Sequence, residues 1–403
     1  MYKACREGRK DLVDLMILNG YTDFNDGLKG ACEGGHLELV KMMLDLGADK
    51  YSMGLGSACE YGHIEIVNLM VSLGAKDYDW GLKGACRGGY LALVKMMIEL
   101  GAKKYSLVHA CLGGNFDIVK LILSLGANNY NGGLISACEK GHDAVVKLML
   151  FLGANDYNNG HYAACKGGHF EIAKMMIELG ATRYKNRLYA ACKGGHLEIV
   201  KMMLSLGAND YNSGLCGACE GGHLEIVNMM LELGANNYKL GLEGACIGGN
   251  NEVIQMMLNL GANNYYEGLY GACYGGHIEV VKMFINDNID DLNYGLRGAC
   301  QGGHVEIVNL LISLGANDYN DALEHSKCNI EVSKLLILHG ATNYNNLNSK
   351  NLEHNILHIR LTEQVSDLAF MKYIKEQHPE YHLLKFYNKH VPGIDRLINK
   401  YLY

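Results

Sequence analysis

Proline and tryptophan are nearly absent from this 403-residue chain, with 2 of the first and 1 of the second. Basic charge is not in excess either: 36 Lys and Arg stand against 43 Asp and Glu, a formal charge of −7 that excludes a strongly basic nucleic-acid scaffold. No apolar run reaches about 18 residues, which removes a membrane span. There is no phosphate-binding P-loop, no dinucleotide glycine fingerprint, no HExxH and no nucleophile elbow. An enzyme is therefore the least favoured class, and no cofactor is expected. No secretory leader is apparent, so a non-secreted protein in a reducing compartment is expected. What remains is a chain with 49% hydrophobic and 20% charged residues, a composition that argues against disorder. It has 51 glycines but no Gly/Ser tract, so glycine is used repeatedly at one backbone position.

The cysteines reveal the period. Cys5, Cys32, Cys59, Cys86, Cys111, Cys138, Cys165, Cys192, Cys219, Cys246, Cys273 and Cys300 are spaced by 27 residues, except for 25 between Cys86 and Cys111. Cys216 and Cys328 lie outside the ladder. The array fills residues 1–345, with a degenerate last copy at 325–336 where the Gly-Gly pair is missing. One clean copy, YNSGLCGACEGGHLEIVNMMLELGANN, runs from Tyr211 to Asn237. Its pattern predicts a short first helix over 215–220, ended by Gly221 and Gly222. A second helix follows, with Leu224, Ile226, Val227, Met230, Leu231 and Leu233 on its apolar face. His223 opens that helix, and Asn115 and Asn250 fill the same place in other copies, which predicts an N-cap. A unit this small cannot bury its apolar face alone, so neighbouring units must stack and share a core.

GGHLEIVKMMLSLGAND, residues 194–210, closely resembles the second half of an ankyrin repeat, and twelve or thirteen such copies account for most of the chain. The chain departs from that family in length, since the usual unit has about 33 residues. It departs also in its opening, where Gly-Leu-x-Gly-Ala-Cys replaces Thr-Pro-Leu-His. A short turn is expected in place of the projecting β-hairpin. The fold class expected is thus all-α, an ankyrin-like helical repeat solenoid with shortened inter-repeat turns and a helical C-terminal tail over 346–403. Short units of this kind, rich in Tyr and Asn, resemble ankyrin proteins encoded by giant DNA viruses of amoebae. That resemblance implies a viral protein acting on host partners in the host cytoplasm or carried in the virion.

Comparison of the copies separates fixed from variable positions. The Ala before each ladder cysteine and the Leu four residues before it hold in nearly all copies and read as packing positions. The residues three before and one after vary freely, as in Tyr162/Lys166, Tyr189/Lys193 and Tyr270/Tyr274. Being four apart, each pair lies on one face of the first helix, and the ankyrin resemblance implies that this face lines the concave surface where partners dock. Tyr162, Lys166, Tyr189 and Lys193 form an aromatic and basic patch, and Tyr270 with Tyr274 an aromatic one; Tyr is a frequent interface anchor. At the turn tips Trp80, Met53, Leu240 and Tyr294 occupy a column otherwise mostly small or polar. Trp80, Tyr162, Lys166, Tyr189, Lys193, Tyr270 and Tyr274 are the candidate partner-binding set, with drift in an unselected column as the alternative for any one of them. The partner expected is a protein, neither nucleic acid nor membrane, bound by a monomer. The Tyr eight residues before each ladder cysteine repeats too faithfully for a binding code and reads as a structural row.

Metal and disulfide chemistry is not favoured. Stacked helices advance by roughly 10 Å, whereas a disulfide needs Cα atoms within about 7 Å, so the ladder cannot cross-link. The recurring His comes once per repeat, whereas a metal needs ligands converging within about 5 Å. Cys216 and Cys219 form an isolated CxxC with no second ligand pair nearby. In the tail, His354/His358 and His378/His382 are each spaced i, i+4, but Pro379 interrupts the second pair and no Cys or Glu completes a signature. The tail reads as a cap on the array. Its alternative, from the weak resemblance of residues 390–402 to an F-box-like segment, is a substrate adaptor for a host ubiquitin ligase. A structural component of the virus particle is a further class. The first unit, with Arg6, Glu7, Arg9, Lys10 and Asp11, reads as a polar cap at the other end. Added zinc is expected to leave the melting temperature unchanged; a rise of several degrees reversed by chelator would show a metal site.

Overall fold

The computed structural model of the protein describes residues 1–183, 188–286, 292–326 and 329–341. The tail over 346–403, its His pairs and Cys328 fall outside the described residues. The chain divides into two compact units, Met1–Asp210 and Tyr211–Tyr403. Within each, helix pairs stack in chain order, first helix on first helix. The described residues contain no β-strand, and a short turn joins one repeat to the next, as at residues 46–50 between Leu37–Asp45 and Tyr51–Tyr61. The all-α repeat architecture expected from the period is thus present.

The first helix is longer than expected. In the copy read from sequence it spans Tyr211–Gly221, beginning at the conserved Tyr rather than at Leu215. The cause is an N-cap one residue before that Tyr. Asp77, Asn129, Asp156 and Asn237 each accept a hydrogen bond from the backbone N–H three residues on, at 3.0–3.2 Å. Glycine four residues into the helix is retained for packing. A Cβ on Gly81 or Gly241 would strike the Met97 or Met257 sulfur of the same repeat's second helix. The Tyr itself opens the helix; the Tyr265 ring lies 6.4 Å from Phe284 on the second helix of its own repeat.

The core repeats with the sequence. In the clean copy Leu215, Ala218, Cys219, Ile226, Val227 and Met230 are buried; fully burying an aliphatic side chain contributes about 1.5–3 kcal/mol. Leu233 is not in this core. It caps the second helix and is 40% exposed, as are its equivalents Leu73 and Leu260 to a similar degree. One copy breaks the ladder Leu: His161 takes its place, buried, with Nε2 3.4 Å from Cys165 Sγ.

Both glycines of Gly-Gly-His have separate duties. The second takes a left-handed conformation, φ 79° at Gly168 and 73° at Gly222, and ends the helix. The first remains in the helix and allows a close approach: a Cβ on Gly88, Gly167, Gly248 or Gly302 would run into the backbone carbonyl of the preceding repeat's first helix. The histidine binds that same carbonyl. Its Nε2 lies 3.1 Å from Glu139 O in His169 and 3.0 Å from Tyr274 O in His304, and His63 reaches Glu33 O at 3.0 Å although Tyr61 stands in place of its first glycine. None of these three caps its own helix through the side chain, so the N-cap role expected for the histidine column is replaced by a clasp between repeats. Asn250 does the same, donating Nδ2 to Glu220 O at 3.0 Å. Asn115 does both, accepting from Asp117 N and Ile118 N while donating to Gly89 O.

A second polar link joins the turns. The side-chain oxygen just after the Tyr accepts two consecutive backbone N–H groups of the next turn. Asn25, Asp79, Asn131, Asn158, Asn212 and Asn293 all do so, at 2.7–3.0 Å. These bonds satisfy donors that the short turn leaves without a helical or strand partner.

The first unit differs from the polar cap expected. Its second helix, Lys10–Leu18, buries Val13 but leaves Leu12, Leu15 and Leu18 at 39%, 54% and 84% exposure. Leu39, the counterpart of Leu12 one repeat on, is buried because a preceding helix covers it. Gly167→Ala should lower stability by about 2 kcal/mol or more, because the added methyl meets rigid backbone. Thermal melts against Lys174→Ala, on an exposed helix position, would check this.

Candidate functional site

The two variable columns meet across repeat boundaries. The residue six before a ladder cysteine, at the turn tip, packs on the residue three before the preceding ladder cysteine. The Trp80 ring lies over Gly56, whose missing side chain leaves room for the indole: a Cβ there would stand 2.8–3.0 Å from ring atoms. Tyr294 lies on Tyr270 with ring centroids 4.9 Å apart, and Gly132 adjoins Val108. Turn tips and first helices therefore build one surface from residues 24 apart in sequence.

Three groups of the expected residues result. Trp80 stands in the first unit, 41% exposed. Further along that unit, Tyr162 is 39% exposed and Lys166 sits one helical turn away, while Lys193 Nζ lies 5.8 Å above the Tyr189 ring. Tyr270 and Tyr274 belong to the second unit. Their rings are nearly parallel, 5° apart in plane and 6.3 Å apart in centroid. With Tyr294 they form a three-ring stack whose central Tyr270 hydroxyl donates to Gln301 Oε1. Burial, together with the nearby Tyr294, Tyr274 and Glu243, raises the Tyr270 hydroxyl above its usual pKa, against the lowering effect of Arg297.

Much of the variable stripe is paired internally. The residue after one ladder cysteine bonds the same residue in the next repeat: Arg87 Nη2 lies 2.7 Å from Glu60 and Lys166 Nζ 2.9 Å from Glu139. Arg6 approaches Glu33 at 3.6 Å. Hydrogen bonding to Glu139, reinforced by its charge, raises Lys166 above the usual lysine pKa. At the array's start the Tyr2 hydroxyl donates to Glu33 and is pushed up to about 12 by that hydrogen bond, by burial and by the carboxylate charge. Half-exposed pairs of this kind contribute little to stability, but they keep the stripe's charges locally balanced.

The ladder offers no chemistry. Cys59, Cys86 and Cys138 are buried free thiols, each pushed up to about 12 by burial. Cys219 is held there too, with Cys216 half-buried beside it. Among the described residues no group of His, Cys, Asp and Glu could hold a metal ion, and no helix is long and apolar enough to cross a membrane.

A helical-repeat surface of this kind defines a class: stacked helix pairs presenting variable side chains on an invariant frame. Residues 160–240 match the family model for ankyrin repeats, in three copies. Among solved structures the chain is similar to the human ASB11 ankyrin repeat domain, at 23% identity over 43% of this chain and 96% of that one, with a TM-score of 0.30. It also matches the maize pentatricopeptide repeat protein PPR10 at 11% identity, over 95% of this chain and 72% of that one, with a TM-score of 0.25. No curated protein matches. Ankyrin repeats generally mediate protein–protein interactions.

Burial of the ladder sets an alkaline limit. A thiol of pKa about 9 unfolded and about 12 folded favours the unfolded chain only once it ionises there. The stabilisation is complete below pH 9 and is lost between 9 and 12. Equilibrium unfolding should show stability falling from pH 9 upward, and among the described cysteines Cys216 alone should react quickly with a thiol reagent in the native state.

Proposed function

We propose that the protein is a non-catalytic binding scaffold that takes a protein partner on the surface formed by its first helices and turn tips. One observation carries this reading. Free variation is concentrated in two columns, and those columns are adjacent in space on a frame whose packing residues recur in nearly all copies. Tyr162, Lys166, Tyr189 and Lys193 supply one contact zone and the stack of Tyr270, Tyr274 and Tyr294 another. Ring faces on such a stack offer broad apolar contact at low entropic cost, the property that makes Tyr an interface anchor. Trp80 is a third anchor. The resemblance to short-repeat viral ankyrin proteins favours a host protein as partner.

Affinity capture with mass spectrometry from host cells tests the proposal, with the intact chain compared against the variant carrying alanine at Tyr162, Tyr189, Tyr270 and Tyr274. These residues are partly exposed, so the variant should fold, as circular dichroism can check. The expected result is at least one specific partner recovered with the intact chain and depleted at least tenfold with the variant. Equal recovery would place binding elsewhere.

A further inference from the structure

The shortened interval between Cys86 and Cys111 has a structural outcome. Most first helices in this unit run to 11 residues, as in Tyr78–Gly88, but here the helix is Leu107–Gly113, with 7. The turn before it still docks normally, because Asp79 accepts Lys103 N and Lys104 N at 2.7 and 2.8 Å. Tyr-x-x-Gly-Leu is reduced to Tyr105-Ser106-Leu107, so the two residues are lost from the helix's first turn. The residue six before Cys111 is now Tyr105, which precedes the shortened helix instead of standing in its first turn as Trp80 does over Gly56, and the place over Lys83 stays open.

A cavity of about 300 Å³ results, lined by Asp77, Asp79, Trp80, Lys83, Arg87, Lys104 and His109. Its carboxylates are already engaged. Asp77 accepts Trp80 N at 3.0 Å, Asp79 accepts two backbone N–H groups, and Glu60 beneath takes Arg87 Nη2. The cations are less fully matched. Lys83 forms no ion pair among the described residues, although its charge helps to lower the Asp79 pKa; Lys104 reaches Asp79 only at 3.9 Å; and Arg87 is paired with Glu60 while its Nε has no hydrogen-bond partner. His109 lines the same hollow, its Nδ1 2.6 Å from Ser106 Oγ. Trp80 also borders a second hollow of about 400 Å³, where Tyr51, Met53, Gly74 and Ala75 supply apolar surface beside Asp49, Lys50 and Ser52.

The geometry points to a peptide-binding site around Trp80 that takes an acidic side chain in the Lys83, Arg87 and Lys104 hollow and an apolar side chain in the Met53 hollow. An arriving carboxylate meets a lining with three cations, Lys83, Arg87 and Lys104, against two carboxylates, Asp77 and Asp79, with Lys83 the cation that no ion pair holds, and the indole separates the two subsites while offering its faces to the peptide. The inference rests on the scaffold reading above and names the chemistry of one contact within it.

Trp80 is the only tryptophan, so emission from the full chain reports on the site. The probes are acetylated, amidated peptides with one Glu and one Leu separated by zero to three Ser in a Gly-Ser context, titrated at low ionic strength. At least one spacing should give a saturable change in Trp80 emission. Gln in place of that Glu should abolish it, and Lys83→Ala with Lys104→Ala should weaken it about tenfold at an unchanged melting temperature. Lys83→Gln with Lys104→Gln serves if the alanine pair is unstable. The assignment is overturned if no spacing gives saturation, or if the Gln peptide or the lysine variant binds as tightly. A partner lost with the tyrosine variant but no peptide binding would remove this inference and leave the scaffold reading; peptide binding with unchanged partner capture would do the reverse.

Discussion

Backbone proximity between successive first helices governs this molecule. At Gly34, Gly88, Gly113, Gly167, Gly248, Gly275 and Gly302 a carbonyl near the end of one first helix enters the space that a side chain would fill on the next. Glycine is tolerated inside these helices, at a cost of about 1 kcal/mol relative to alanine, because a Cβ there would meet that carbonyl. His169 and His304 bind the same carbonyl, and His63 binds its own with Tyr61 in the glycine's place. Bulk is supplied by the second helices: Met43, Met70, Met97, Met149, Met176 and Met257, and Phe284 in one copy, fill the space over the glycine four residues into the first helix.

The frame leaves the variable surface little freedom except in side-chain identity. Position on the stripe is fixed by backbone contact and by the Asn and His links, so a Tyr or Lys placed there is held on a rigid helix. The three tyrosines of the second unit stack as they do because Tyr294 occupies a tip position that always falls on the stripe residue of the preceding repeat. Trp80 uses the same geometry with a different neighbour, an indole over a glycine. Aromatic size at the tip and small size beneath it are thus two halves of one arrangement.

Much of this is legible in the chain alone. Period, helix pairing, left-handed glycine termini and the core of Leu, Ala, Cys, Val and Met follow from spacing and polarity. What escapes is every feature that depends on residues 24 to 30 apart. The histidine column has the position of an N-cap and the composition of one, since Asn replaces it, but its partner lies in the preceding repeat. Asn131 and Asn212 each tie down the turn of the following repeat, a link that no single copy displays. The helix start at Tyr211 follows from the Asn or Asp before the Tyr column, a cap that the expected start at 215 leaves out. The stripe was visible as variation; its junction with the turn tips and its internal ion pairs were not, because both join different copies.

Since most described boundaries of the regular copies use the same glycine, the same carbonyl and a His or Asn, their frame contacts are largely interchangeable. A gene built this way can gain or lose whole 27-residue units by unequal crossing-over and still encode a chain that folds, altering the length and content of its outward face in a single event. The boundary at Cys86 and Cys111 is different in kind: a loss of two residues instead of a whole unit survives there because the clasp, carried by Asn115 in place of histidine, lies beyond the shortened turn.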